Sequence, residues 1–279
     1  MAISLPRPSL GPGTTTAAGA QVDVDVLVVG AGPTGLTLAC DLARRGVDHR
    51  VVERAPQANR ASKAKTVQPR ALEVLDDLGA AALVLERGVV DLPVRFHDAA
   101  GAVTDRPTMS VRAAASFHSP YPDPVWVGQF DVEEALRRRL AELGGGVEHG
   151  AAAVGLEQDD DGATVTVAGE QGERRIRARY VVAADGGRSE LRRLAGLPLV
   201  GETYEDQRWY LGDVTAADLD RGHMHIWTSG RGMVGMTPLP SSDLWQLQSP
   251  IRPRTNRRSR RWPCTRACWT SARGRAWCG

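Results

Sequence analysis

Residues Gly30-Ala31-Gly32-Pro33-Thr34-Gly35 fit the spacing G-x-G-x-x-G, and its glycines each have a physical task. The first permits a tight turn, the second lets backbone amides approach a pyrophosphate, and the third lets a helix pack close to a strand. Pro33 suits the first helical position, where its missing N–H would have had no intrahelical partner. The amides and dipole of such a helix start favour an anion. Glu53 follows eighteen residues after Gly35, where a carboxylate accepts hydrogen bonds from an adenosine ribose and repels a 2′-phosphate. The chemistry indicated is dinucleotide binding, with Gly30, Gly32, Pro33, Thr34, Gly35, Glu53 and the adjacent Arg54 as candidate contacts. The competing reading is an ordinary strand–turn–helix.

A second constellation is Asp185-Gly186-Gly187-Arg188-Ser189-Glu190-Leu191-Arg192. An Asp-Gly at the carboxyl end of a parallel strand lies where open α/β sheets bind ligands. Asp185 could equally serve only as a helix cap, and the residues alone leave both readings open. Other residues invite chemistry less. His223 and His225 alternate, so both rings point to one strand face, and surface or cavity-lining use is the expectation over a metal pair. Cys264, Cys268 and Cys278 resemble a zinc half-site without an evident fourth ligand, so no metal is expected. Arg137-Arg138-Arg139 reads as a solvated helix face. Met224, Trp227, Met233, Met236 and Trp245 read as inner-face residues of a sheet.

These residues need elements to hold them. Val22 to Val29 is a β-branched run that fits a strand buried on both faces of a parallel sheet. A helix should run from Leu36 to Arg45, ended by Gly46, with a second strand over Val47 to Glu53. Together they form a βαβ unit with a right-handed crossover. Pro69 should open a helix with Leu72, Leu75 and Leu78 on one face, stopped by Gly79. Strand-like pieces follow between Leu92 and Val127. The next helix signal is strong: Asp131 and Glu134 have capping-box spacing, Val132, Ala135, Leu136, Leu140 and Leu143 share a face, and Gly144 ends it. Val147 to Tyr180 alternates around Asp161-Gly162 and Gln171-Gly172, as a β-meander would, and Tyr180 to Ala184 reads as a further buried strand. Alternation returns between Gly196 and Gln248.

The charge distribution divides the chain. Residues 1–250 carry 26 of the 35 basic groups and all 33 acids, a balance near −7. Residues 251–279 carry nine Arg, no acid, three Trp and three of the four Cys. A basic arm for nucleic acid, a coding region read out of frame and a genuine but unusual domain end all fit that composition, and frameshift or truncation is the expectation. Residues 1–21, rich in Pro, Gly, Thr and Ala, read as a disordered leader and not a signal peptide. No apolar run reaches the roughly 18–20 residues of a membrane span, so a cytoplasmic protein is expected. The expected organisation is a cofactor domain over 22–196, discontinuous and with β insertions, a partial substrate-side sheet over 197–250, and the Arg/Trp/Cys-rich tail 251–279.

Taken together, the chain resembles the FAD-dependent aromatic-ring hydroxylases, the class A flavoprotein monooxygenases related to p-hydroxybenzoate hydroxylase and to polyketide hydroxylases. "VVGAGPTGL" is similar to the first FAD motif of that family and "VVER" supplies its ribose acid, Glu53. "ASKAKTVQPRALEVLDDLG" is similar to the segment whose arginine, here Arg70, reaches the flavin side; "VGQFDVEEALRRRLAELG" places Gln129 at a cofactor-contacting position. "ADGGRSELRRLAG" fits the motif D-G-x-x-S-x-x-R, which makes Asp185 and Gly186 cofactor residues. The resemblance implies an α/β three-layer FAD/NAD(P)-binding (Rossmann-like, GR2-type) domain with part of an antiparallel substrate-side β-sheet. It implies FAD as cofactor and NAD(P)H as co-substrate. Molecular oxygen would add to reduced flavin, and an aromatic or polyketide ring would be hydroxylated. Neither a metal nor a nucleophilic triad is required, no nucleic acid or membrane partner is expected, and no catalytic residue is assigned. Nothing after Gln248 resembles the family's third motif, Gly-Asp-Ala-x-His, so impaired activity is expected. A non-catalytic FAD-binding fragment and, further off, an NAD-dependent dehydrogenase are the rival readings.

Overall fold

The computed structural model describes residues 22–58, 61, 63–107, 120–202, 208–229, 232–251, 269–271 and 276–277. In chain order the structure runs β1 (Val24–Val29), α1 (Pro33–Arg44), β2 (His49–Glu53), β3 (Thr66–Val67), α2 (Pro69–Asp77), α3 (Ala81–Arg87) and β4 (Val89–Val90). It continues with β5 (Val94–His97), β6 (Val103–Arg106), β7 (Val125–Trp126), α4 (Gln129–Glu142), β8 (Val147–His149), β9 (Ala152–Asp159), β10 (Gly162–Gly169), β11 (Gly172–Ala183) and α5 (Glu190–Leu194). The remainder is all strand: β12 (Trp209–Ala216), β13 (Met224–Ser229), β14 (Gly232–Pro238), β15 (Leu244–Pro250), β16 (Trp269–Ser271) and β17 (Ala276–Trp277). Among the described residues no helix is long and apolar enough to cross a membrane.

The first sheet has the order β8-β2-β1-β11-β10-β9, with β8, β2, β1 and β11 parallel and the last three strands an antiparallel meander. One face is covered by α1 and α4, whose Leu36, Ala39, Val132, Ala135, Leu136 and Leu140 close over Val26 and Val28. On the other face Val24, Leu27, Val29 and Val52 pack with Val165, Val167 and Ile176 of the meander and Leu191 of α5. The β-branched run of β1 is thus buried on both sides, as its sequence requires.

Two local expectations give way to tertiary context. The strand expected separately over Tyr180 to Ala184 is the second half of β11, whose first half pairs with β10 and whose second half pairs with β1. Ala178 is the handover, facing both Val24 and Ala163. Beyond it β10 has ended, one side of β11 lies open, and Tyr180 is 70% exposed instead of buried. The capping box at Asp131 and Glu134 does not form. α4 starts earlier, at Gln129 after Gly128, so Asp131 sits inside the first turn, buried, accepting from Arg87 Nη1 at 3.1 Å and Ser241 Oγ at 2.5 Å. An acid there suits the helix dipole as well as a cap would, and it ties α4 to the β14–β15 hairpin. The Arg137-Arg138-Arg139 face is solvated only at Arg138. Arg137 pairs with Glu134, and Arg139 Nε donates to the Leu78 carbonyl at 2.7 Å, closing the end of α2.

The second sheet, β17-β16-β12-β15-β14-β13-β5-β6, is antiparallel except where β13 lies parallel to β5. The segment 94–106, one of the β insertions of the 22–196 stretch, supplies two strands to this sheet. Residues 269–271 and 276–277, from the tail set apart on composition, pair onto its β12 edge. Residues 1–21 and Cys264, Cys268 and Cys278 lie outside the described residues. The expected inner-face residues divide between two sides. Met224 joins Leu92, Val94, Ile226 and Trp126, while Met236 and Trp245 pack with Val214 and Trp227; Met233 is 43% exposed. A small third sheet, β3-β7-β4, precedes the starts of α2 and α4.

Candidate functional site

The carboxyl ends of β1 and β11 lie side by side, joined by the Ala184 N–H to the Val29 carbonyl at 2.8 Å. This brings together the two constellations, which are more than 150 residues apart in sequence. The contact is intimate. Gly30 has φ +107°, and a Cβ there would lie 2.4 Å from the Ala184 carbonyl oxygen; at Gly35 it would lie 1.9 Å from the Gly30 carbonyl oxygen. Glycine is thus required at both positions by backbone contact alone. At Gly32 an added Cβ meets nothing within 4 Å. Gly32 is also the N-cap of α1, which has no side-chain cap, and Pro33 is its first residue. Open space in front of an uncapped helix start is what a pyrophosphate requires.

Glu53 ends β2 beside this turn. Its Oε2 accepts from the Ala31 N–H and its Oε1 from the Ala55 N–H, both at 2.9 Å, so the carboxylate is held by backbone on either side. Asp185 is half used. Its Oδ2 accepts from the Glu190 and Leu191 amides at 2.7 and 3.1 Å, capping α5, while its Oδ1 is buried with no hydrogen-bond partner. The cap reading of Asp185 therefore accounts for one oxygen and leaves the other for a donor that the protein does not provide. Gly186 follows with φ +79° and open space at its Cβ position.

The remaining candidates are placed less directly. β3 and β7 pair, and their chains continue into α2 and α4, so Arg70 and Gln129 both occupy helix starts. Gln129 donates through its backbone N–H to the Ala64 carbonyl at 3.1 Å and through Nε2 to Glu133 Oε1 at 2.7 Å. Burial pushes the Glu133 carboxyl above its ordinary range, with the Glu53 charge adding to the effect. Arg70 is turned outward, its side chain 85% exposed and paired with Glu73 at 2.5 Å. Arg54 is exposed, and Thr34, also exposed, lines a groove with Leu38, Asp41 and Val74 between α1 and α2. Thr34 belongs to the turn itself and Arg54 directly follows Glu53, both with exposed side chains, while the Arg70 guanidinium is engaged by Glu73.

The histidines belong to the second sheet and form no metal cluster; among the described residues none is found. His225 is buried, at variance with a surface role. Its Nε2 donates to the Asp220 carbonyl at 2.9 Å and its Nδ1 faces His97 Nε2 at 3.0 Å, with Trp227 stacked on both rings. Sequence reading did not single out Lys65, whose ammonium is buried without a hydrogen-bond partner. The signal was a lysine two residues before Val67 in a segment about to become a strand.

An arrangement of Gly-rich turn, ribose-side acid and half-satisfied aspartate at neighbouring strand ends fits an FAD. Residues 23–273 match the family model described as FAD binding domain. A flavin-dependent monooxygenase from Mycobacteroides abscessus is 38% identical over 229 residues, covering 80% of this chain and 48% of that protein. The 6-methylpretetramide 4-monooxygenase of Streptomyces rimosus is 34% identical, covering 79% of this chain and 39% of its own. Pentachlorophenol 4-monooxygenase of Sphingobium chlorophenolicum is 33% identical, with 81% and 42% covered. This chain thus spans about half, or somewhat less, of the length of the curated relatives it matches. The solved ternary complex of aklavinone-11 hydroxylase with FAD and aklavinone aligns with a TM-score of 0.70 at 27% identity, over 86% of this chain and 48% of that one. On the family match and the shared fold, this chain belongs to the FAD binding domain family, whose members among its relatives are flavin-dependent monooxygenases.

Proposed function

We propose that the protein is a cytoplasmic FAD-dependent, NAD(P)H-consuming monooxygenase that hydroxylates an aromatic or polyketide ring. The observation that carries the reading is the meeting of Gly30–Gly35 and Asp185 at the ends of β1 and β11, with open space at Gly32 and a buried oxygen of Asp185 awaiting a donor. In this reading the amides of the first turn of α1 hold the pyrophosphate, Glu53 orients the adenosine ribose, and Asp185 Oδ1 accepts from a cofactor hydroxyl. Gln129 and Arg70, at the starts of α4 and α2, stand toward the flavin side, Arg70 after release from Glu73. When bound, FAD supplies the redox and oxygen chemistry; the protein's part is to orient it, screen it from water and present a ring.

The ring would lie against the second sheet, on the side that carries Val94, Met224 and Ile226. That side is apolar at β5 and β13 but polar at its centre, where Asp213, Gln246 and Thr237 occupy neighbouring register positions on β12, β15 and β14. A hydroxylated aromatic matches this mixture better than a plain hydrocarbon does, since a polar group left unmatched there would be costly. The relatives' names, which include a pretetramide and a chlorophenol monooxygenase, support the same class. The test begins with the purified chain. Retained or titrated FAD should give a flavin spectrum and quenched flavin fluorescence, and NADH or NADPH oxidation should then be stimulated by phenols. A chain that takes up no FAD would remove the basis for the assignment.

A further inference from the structure

Among the described residues the Lys65 ammonium has no counter-charge. Its Nζ is enclosed and makes no hydrogen bond, and among the described residues no carboxylate pairs with it. Burial alone lowers its pKa to about 8, so the amine is still largely protonated at neutral pH. An ammonium in that state is costly unless something supplies an acceptor. Its position is fixed by backbone: the Lys65 carbonyl accepts from the Val127 N–H at 3.0 Å, next to the Ala64–Gln129 bond that anchors the start of α4. Side chains alternate along an extended strand, so Lys65 shares a side of β3 with Val67. Val67 packs in the cluster that contains Ala31 of the glycine turn and Leu36 of α1. Lys63, two residues earlier, has a charge that reaches Glu133, which also feels Glu53. The segment before β3 therefore lies near Glu53 and the glycine turn, the groups proposed to face the cofactor.

We propose that Lys65 is a counter-cation for the pyrophosphate of the bound dinucleotide, complementing the amide groups at the start of α1. The inference rests on the FAD reading above. Within it, the lysine resolves an otherwise unexplained cost, because the two phosphate charges provide the anion that the protein withholds.

The test uses the whole chain with Lys65→Met and Lys65→Arg, three measurements on each: the melting temperature without ligand, FAD affinity by fluorescence quenching, and ADP affinity by calorimetry. Lys65→Met should melt higher than the parent without ligand, since it replaces an unpaired ammonium by an apolar chain of similar length. It should bind both FAD and ADP more weakly, by roughly tenfold to a hundredfold for a lost charged hydrogen bond. Lys65→Arg should recover part of that loss. ADP affinity of the parent should decline as pH rises above about 8, and that of Lys65→Met should not. Unchanged FAD and ADP affinities in Lys65→Met overturn the proposal while the parent's own flavin uptake keeps the FAD reading standing. Loss of FAD affinity with ADP unaffected also overturns it, since the lysine would then serve the flavin end. A parent chain that binds neither ligand overturns both.

Discussion

Adding one side chain at Gly32, and separately at Gly35, should have opposite consequences. At Gly32 the backbone has φ −76° and ψ −176°, which any residue adopts, and a Cβ there meets nothing within 4 Å. Gly32→Val should therefore fold. Its main stability cost is a poorer N-cap, about 1 kcal/mol, or roughly 2–4 °C in melting temperature for a domain of 150–250 residues. The branched side chain nonetheless occupies the space before the helix start, so FAD affinity should fall by at least about a hundredfold, which corresponds to ~2.8 kcal/mol. At Gly35 a Cβ would stand 1.9 Å from the Gly30 carbonyl oxygen. Neither atom belongs to a flexible side chain, so Gly35→Ala must push α1 off β1, with an overpacking cost of about 3 kcal/mol or more. The assays are thermal melting by circular dichroism and flavin-fluorescence titration, run well below the lower melting temperature. Near-parental FAD affinity in Gly32→Val would refute the assignment of the cradle. A Gly35→Ala variant as stable as the parent would refute the claimed helix–strand contact.

Glu53→Ala removes an acceptor shared by two backbone amides and the proposed ribose contact, so it should lower the melting temperature and weaken FAD roughly tenfold to a hundredfold; unchanged titrations would count against the ribose role. Asp185→Asn keeps an acceptor for the α5 amides and should leave stability within about 0.5 kcal/mol while FAD affinity falls; equal losses in both would reduce Asp185 to a cap. Acid should also destabilise the second sheet through its histidines. Burial lowers the pKa of both His97 and His225, so the unfolded chain binds protons first as pH falls. Their contribution is intact above about 6.5 and is lost as pH drops below it toward the lowered folded values. Melting temperature should fall between pH 7 and 5, before the carboxylates titrate, and His97→Phe should flatten that slope; an unaltered slope would exclude the pair as its source.

What the sequence settled by itself was local. The glycine spacing, the β-branched run and Glu53 specify a strand, a turn and a helix through steric rules that act over a few residues, and Leu72, Leu75 and Leu78 all proved buried. The meander turns were legible for the same reason: Gly162 and Gly172 have positive φ at the places where alternation breaks. What required the tertiary structure was every decision made by a neighbour distant in sequence. Asp131 looked like a cap, yet Arg87 and Ser241 draw it into the interior. Tyr180 looked buried, yet β10 ends before reaching it. Residues 94–106 read as a β insertion with no partner legible in the sequence, and β5 pairs with β13, more than a hundred residues away. Asp185 remained ambiguous from its own surroundings in sequence; only the packing of Ala184 against Gly30 showed that its second oxygen is enclosed beside the glycine turn without a partner. Periodicity and turn chemistry are encoded in adjacent residues, whereas enclosure and pairing depend on which distant strands and helices arrive beside them.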